Sequence, residues 1–91
     1  MNELELARKK IDEIDSKIIE LFEERMNAVL AVIKYKIENN IPILDANREL
    51  QILEKNLKLI KNKEFKKYYK SVLDGYLKAS KDMQKDILEN K

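Results

Sequence analysis

Apolar residues recur at alternating steps of three and four along most of the chain, which is the spacing of one face of an α-helix. The first run is the longest and extends from about Leu4 to Glu38. Its apolar stripe consists of Leu4, Ala7, Ile11, Ile14, Ile18, Leu21, Ala28, Val29, Val32 and Ile33. Asn39, Asn40 and Pro42 end the run, because proline lacks an N–H and pushes its predecessor out of the helical region.

Two shorter periodic runs follow. Asp45 is a good N-cap for a second helix over roughly Ala46 to Ile60, and a third helix is predicted over roughly Glu64 to Leu88. Their apolar positions are Leu50, Ile52, Leu53, Leu57 and Ile60 in the second helix and Phe65, Tyr69, Val72, Leu73, Tyr76, Leu77, Ile87 and Leu88 in the third. The pattern predicts an all-α protein with three helices per chain, one long and two shorter, in a single domain over residues 1–91.

The length of the first helix predicts an oligomer. Some 35 residues span ~50 Å at about 1.5 Å per residue, whereas a compact chain of this size is roughly 30 Å across. Part of the apolar stripe would therefore be bare in a monomer, and no Gly or Pro lies inside the helix to bend it. A second copy packed about a two-fold axis is the simplest cover, so we expect an intertwined helical homodimer.

The composition restricts the chemistry. One Gly and one Pro among 91 residues leave no room for the turns of a many-stranded sheet. The 19 basic and 17 acidic residues are too evenly balanced to predict a nucleic-acid or membrane surface. The chain has no Cys and no His, which removes thiolate nucleophiles, the usual general base and the commonest metal ligands. No signal-like segment or long apolar run is visible, so we expect a soluble, cytoplasmic protein without a metal site.

Several polar side chains fall on the apolar stripes, namely Arg8, Arg25, Lys36, Arg48, Glu49, Ser80 and Gln84. Each alone has a simpler explanation. Arg and Lys at a stripe edge usually keep their charged ends in water, and Ser and Gln are often satisfied core residues. Glu49 could complement its helix dipole, and Arg48 could pair locally with Asp45.

Together, these residues predict a binding pocket. Buried charge is costly unless it is compensated. The four cations face only two anions, Glu49 and Asp45, so two positive charges are left over. A small, doubly anionic organic acid would balance them, and guanidinium groups suit bidentate carboxylate binding.

The assembled spacing closely resembles that of the all-α family of chorismate mutases. The matching pattern covers nearly the whole chain and reads Leu4…Arg8-x-x-Ile11-Asp12-x-x-Asp15, Leu21-x-x-x-Arg25, Val32-x-x-x-Lys36, Ile43-x-Asp45-x-x-Arg48-Glu49 and Ser80-x-x-x-Gln84. The resemblance implies an interlocked homodimer with two equivalent, shared active sites. It also implies the Claisen rearrangement of chorismate to prephenate, a step of the shikimate pathway toward phenylalanine and tyrosine. That reaction needs no cofactor, metal, nucleophile or proton transfer.

The resemblance further implies which side chains bind the reacting atoms. Arg8, reaching across from the partner subunit, and Arg25 would grip the two carboxylates, in either assignment. Lys36 and Gln84 would donate hydrogen bonds to the ether oxygen, whose negative charge grows in the transition state.

The remaining residues of the set are expected to bind the ring. Glu49, with the Asp45 region nearby, would accept a hydrogen bond from the ring hydroxyl. Ser80 would assist at the ring carboxylate, and Arg48 would order the start of the second helix. Of the whole set, the predicted catalytic residues are Lys36, Gln84, Arg25 and Glu49.

Two other functions are compatible with parts of this pattern. An isochorismate–pyruvate lyase-like enzyme on the same fold would also bind a dianionic enolpyruvyl acid through arginines. A catalytically silent helical dimer could instead regulate or tether a partner enzyme, but it would be expected to lose pocket residues. We favour the mutase because Glu49 and the Asp45-x-x-Arg48 context match its hydroxyl-binding helix. The pattern suits a free-standing enzyme and a fusion, for example with prephenate dehydratase, equally well.

Overall fold

The long first run forms one continuous helix, as its apolar stripe predicts. A computed structural model describes residues 1–42 and 46–90, and helix α1 occupies Glu3–Glu38. Asn2 caps its N-terminus, because the Asn2 side-chain oxygen accepts a hydrogen bond from the Glu5 backbone N–H at 2.9 Å. The bond satisfies one of the N–H groups that a helix start otherwise leaves without a partner.

Helix α1 ends in a left-handed turn at Asn40, which has a φ of 55°. The Ile41 N–H donates to the Lys36 carbonyl at 2.8 Å, and the Asn40 N–H donates to the Ile37 carbonyl at 3.3 Å. This pair of bonds is the Schellman motif, for which Asn is the best residue after Gly. The predicted end of the helix is confirmed, and the local cap ends it before Pro42 is reached.

The second and third helices also lie close to their predicted bounds. Helix α2 occupies Ala46–Leu59 and helix α3 occupies Lys66–Glu89. A short 3₁₀ helix at Lys63–Phe65 precedes α3, where the sequence predicted the first turn of α3 itself. Asn62 causes this tighter turn, because its side-chain oxygen accepts from the Glu64 N–H and its carbonyl accepts from the Phe65 N–H, both at 3.0 Å.

The described residues form three α-helices and no strand, so the all-α prediction is confirmed. The chain divides into two units, Met1–Val32 and Ile33–Lys91. The first unit consists of the N-terminal part of α1, and most of its apolar stripe is exposed in the single chain, up to 62% at Leu21. No helix in the described part of the chain is both long enough and apolar enough to span a bilayer.

The second unit contains the end of α1 together with α2 and α3. Polar side-chain contacts between α2 and α3 include a hydrogen bond from Asn56 to Tyr69 and an ion pair between Glu49 and Lys81. Because the earlier α2 residue pairs with the later α3 residue, the two helices run antiparallel. Ile33 on α1 and Leu73 on α3 are the most deeply buried apolar side chains of this unit.

Candidate active site

The two predicted carboxylate-binding arginines lie in the first unit. Arg8 is exposed and Arg25 is half-buried, and both lie on α1. They are 17 residues apart, which corresponds to about 25 Å along a helix axis. That separation is far greater than the length of a small dicarboxylic acid, so one copy of this helix cannot hold both ends of one such molecule.

Lys36 is half-buried in the last turn of α1. Its backbone carbonyl accepts the 2.8 Å bond from the Ile41 N–H that closes the helix cap, so the position of Lys36 relative to the end of the helix is fixed. A cation in a last helical turn is also favoured by the helix dipole. Arg48 lies exposed near the start of α2, and Asp45 lies outside the described residues.

Glu49 is held by an ion pair that the sequence did not predict. Its Oε1 lies 2.8 Å from the Nζ of Lys81 on α3, and the Lys81 and Glu49 side chains are 46% and 32% exposed. An ion pair this exposed contributes only about 0–1 kcal/mol to stability. It nevertheless fixes where the Glu49 carboxylate lies relative to α3.

Ser80 lies on α3 beside Lys81 and is only 7% exposed. Its hydroxyl donates a 3.0 Å hydrogen bond to the backbone carbonyl of Tyr76, one helical turn earlier. This bond is the usual way in which a helix satisfies a buried serine. The burial agrees with the inward position that the apolar stripe predicts for Ser80.

Gln84 follows Ser80 by one turn on the same face of α3. Its side chain is half-buried, and its Oε1 is shielded from water and has no hydrogen-bond partner. A shielded amide oxygen without a partner costs about 1–3 kcal/mol, and such groups call for a specific explanation. Rotation of the amide by about 180° would bring its NH₂ to the same position, so the group can offer either a donor or an acceptor there.

The second unit therefore brings part of the predicted set onto two facing helices. Glu49 on α2 is tied to the stretch of α3 that carries Ser80 and Gln84, through Lys81 between them. An ammonium group, a carboxylate, a hydroxyl and an amide thus lie within one stretch of the helix pair. These groups can bind and orient a polar molecule by hydrogen bonds and charge.

Two other features of the second unit are separate from this set. Lys78 and Asp82 form an exposed ion pair at 2.9 Å, and the hydrogen bond and charge of Asp82 raise the pKa of Lys78. A surface depression is lined by Lys63–Tyr68 and contains none of the predicted site residues. Within the described residues, no cluster of acidic side chains is arranged to hold a metal ion.

Sequence reasoning missed Lys81, and the reason is specific. Its partner Glu49 is distant in sequence, and Lys81 occurs among other exposed lysines of α3 that resemble a solvated face. The signal that could have found it is its position directly after Ser80 and three residues before Gln84. A cation there lies close to the predicted carboxylate once α2 and α3 are antiparallel.

The fold and the candidate site define the class of this protein: it is an all-helical chain that carries polar side chains within its apolar helix faces. The family model of chorismate mutase type II matches residues 7–85. The chain belongs to this family.

Several curated relatives are similar over much of the chain. The bifunctional chorismate mutase/prephenate dehydratase of Buchnera aphidicola subsp. Acyrthosiphon pisum is 36% identical over 89 residues, which cover 97% of this chain and 23% of that protein. The protein of the same name from Aquifex aeolicus is 42% identical over 64 residues, 70% of this chain and 17% of its own.

A shorter relative is named for the mutase alone. The chorismate mutase of Methanocaldococcus jannaschii is 46% identical over 54 residues, which cover 59% of this chain and 54% of that protein. The chain thus spans less than a quarter of the length of the two bifunctional relatives and about half of the length of this one. No solved structure matches the chain significantly.

Proposed function

We propose that this protein converts chorismate to prephenate, by positioning its substrate and stabilising charge in the transition state. The observation that carries the proposal is the shielded Gln84 Oε1, which has no hydrogen-bond partner. It lies one turn after Ser80 and three residues after Lys81, whose Nζ contacts the Glu49 carboxylate. Membership of the chorismate mutase type II family supports the choice of substrate.

The proposed reaction is unimolecular. The ether C–O bond breaks while a new C–C bond forms within the same molecule, so no proton, electron or group is exchanged with the protein. Lys36 and the rotated amide of Gln84 would donate hydrogen bonds to the ether oxygen as its negative charge grows. Glu49 would accept from the ring hydroxyl, and Arg25 with an Arg8 from a second copy would hold the carboxylates in the compact reactive geometry.

The separation of the two arginines supports a homodimer with shared sites. Because Arg8 and Arg25 lie about 25 Å apart on one helix, these two arginines can grip one small dianion only if they come from different copies. The exposed apolar stripe of the first unit offers the surface for such a pairing. Its exposed members are Leu4, Ile11, Ile14, Ile18 and Leu21. Large exposed apolar patches of this kind mark interfaces.

The remaining assignments stay predictions with this proposal. Ser80 would bind near the ring carboxylate and Arg48 would order the start of α2, with Asp45 nearby. A single catalytic domain over residues 1–91, a cytoplasmic location and the absence of any cofactor are expected on the same grounds.

The test is the disappearance of chorismate in the presence of the purified protein, with the product identified by chromatography. We expect prephenate, and near-complete loss of turnover in Arg25→Ala and Lys36→Ala with helicity unchanged. Pyruvate release from isochorismate, without prephenate from chorismate, would instead identify the lyase. A folded protein that turns over neither substrate would leave the silent helical module as the function.

A further inference from the structure

We infer that Lys81 is a positioning residue of this site. It holds the Glu49 carboxylate in place to accept a hydrogen bond from the ring hydroxyl of the substrate. The inference rests on the proposed function. It adds a residue that neither the sequence pattern nor the resemblance includes.

The geometry comes from one contact between two helices. Glu49 lies in the first turn of α2, and its Oε1 is 2.8 Å from the Lys81 Nζ on α3. Lys81 is the neighbour of Ser80 and precedes Gln84 by three residues, which is less than one helical turn. The ion pair therefore ties the carboxylate to the stretch of α3 that carries the other predicted polar groups.

The chemistry of a carboxylate explains how the ion pair affects substrate binding. Glutamate has several rotatable bonds, so an untethered carboxylate loses entropy when a ligand fixes it. The ammonium group of Lys81 fixes Oε1 before the substrate arrives. Oε2 retains lone pairs that can accept a hydrogen bond from a hydroxyl. The tether thus lowers the entropic cost of binding the ring.

Charge gives Lys81 a second effect on the same step. The proposed substrate carries two negative charges, and a lone carboxylate in its site would repel it. Lys81 balances the charge of Glu49 without occupying its second oxygen. The cations of the site then remain available for the substrate carboxylates.

The exposed position of the ion pair argues against a mainly structural role. Both side chains are partly exposed, so the pair contributes little to stability. The hydrogen bond from Asn56 to Tyr69 joins α2 to α3 independently. Removal of Lys81 should therefore leave the helix pair folded, which makes its effect on substrate binding measurable.

The experiment compares Lys81→Met with Lys81→Arg and with a matched control, Lys78→Met. The control removes the same charge from the same helix, but its ion-pair partner is Asp82 and not Glu49. We expect Lys81→Met to raise KM for chorismate about three- to tenfold, with kcat within about twofold of the wild-type value. The reason is that the Glu49 carboxylate held by Lys81 binds the ring hydroxyl equally in the ground and transition states. Lys81→Arg should restore KM, and Lys78→Met should leave it near the wild-type value.

The same substitutions in a Glu49→Gln background show whether Lys81 acts through Glu49. There, we expect Lys81→Met to change KM no more than Lys78→Met does, since the carboxylate that Lys81 holds is gone. The inference would be overturned if Lys81→Met raised KM as much in the Glu49→Gln background as in the wild-type background, or if it left KM unchanged in the wild-type background. In either case, turnover of chorismate by the wild-type protein would still uphold the proposed function. A wild-type protein that does not convert chorismate would overturn both.

Discussion

The side-chain amide of Asn56 on α2 donates a hydrogen bond of 2.8 Å to the hydroxyl oxygen of Tyr69 on α3, and the bond is partly buried. It lies toward the turn between the helices, whereas the Glu49–Lys81 pair lies toward their other ends. The two contacts together define the antiparallel register of α2 against α3. The register in turn decides which α3 residues come close to Glu49.

Tyr69→Phe tests how much the hydrogen bond between Asn56 and Tyr69 contributes to the stability of the fold. We expect the free energy of unfolding to fall by about 0.5–1.5 kcal/mol, because the change removes one partly buried hydrogen bond and leaves the ring in place. Urea denaturation at a fixed protein concentration measures the loss, and activity per folded molecule should stay near wild type. An unchanged midpoint would mean that water replaces the bond at no cost.

Gly75→Ala should stabilise the protein. Gly75 lies inside α3 without a positive φ, and a Cβ added there meets no atom within 4 Å beyond its chain neighbours and the backbone of its own helix. Alanine is favoured over glycine in a helix interior by about 1 kcal/mol. A rise in the thermal midpoint, recorded at one protein concentration, would bear this out. A fall would show that a second copy packs closely over this position.

Gln84→Glu should make the reaction depend on acid. A carboxyl group can donate to the ether oxygen only while it is protonated, and a glutamic acid in water has a pKa of about 4.3, which burial raises. Activity should therefore be present below that pKa and be lost as the pH rises through it, by about 10²-fold or more at neutral pH.

The measurement for Gln84→Glu is a profile of kcat/KM between about pH 5 and pH 8. Wild-type protein should show no loss on the alkaline side from this position, because an amide does not titrate. Gln84→Leu, which cannot donate at any pH, is the matched control and should be weak throughout. A flat profile for Gln84→Glu would remove this side chain from the reacting centre.

Mixed dimers test the proposal that the site is shared between two copies. Arg8→Ala and Arg25→Ala protomers should each be nearly inactive alone. In a dimer that contains one of each, one of the two sites regains both arginines, so activity should recover toward half of the wild-type value per dimer. Differently tagged protomers allow the mixed dimer to be isolated before the assay. Verified mixed dimers without recovery would contradict a site that is built from two copies.

The helices could be predicted from the sequence because their signals are local. The apolar spacing and the Asn39–Pro42 stop gave the bounds of α1, which the structure confirms. The left-handed turn at Asn40 and the 3₁₀ helix at Lys63–Phe65 were missed. The first depends on the left-handed conformation of Asn40, and the second depends on the side-chain and backbone hydrogen bonds of Asn62. Apolar spacing does not contain such details.

The candidate site was predictable only in part. Ser80 lies buried where the α3 stripe places it, and Gln84 follows it one turn later on the same face. The partnership of Glu49 with Lys81 depends on the packing of two helices that are far apart in sequence, so no local pattern could predict it. The roles of Arg8, Arg25, Lys36 and Arg48 stay predictions that rest on the family resemblance.

The hydrogen bond from Ser80 to the Tyr76 carbonyl has a consequence for substrate selection. A serine hydroxyl has one proton, and a carboxylate can only accept hydrogen bonds. A substrate carboxylate that called on Ser80 would have to compete with the helix for that proton, so the exchange would yield little net affinity. The advantage of serine at this position would then be its small volume. Ser80→Ala would be mild, whereas a bulky side chain would shut the ligand out.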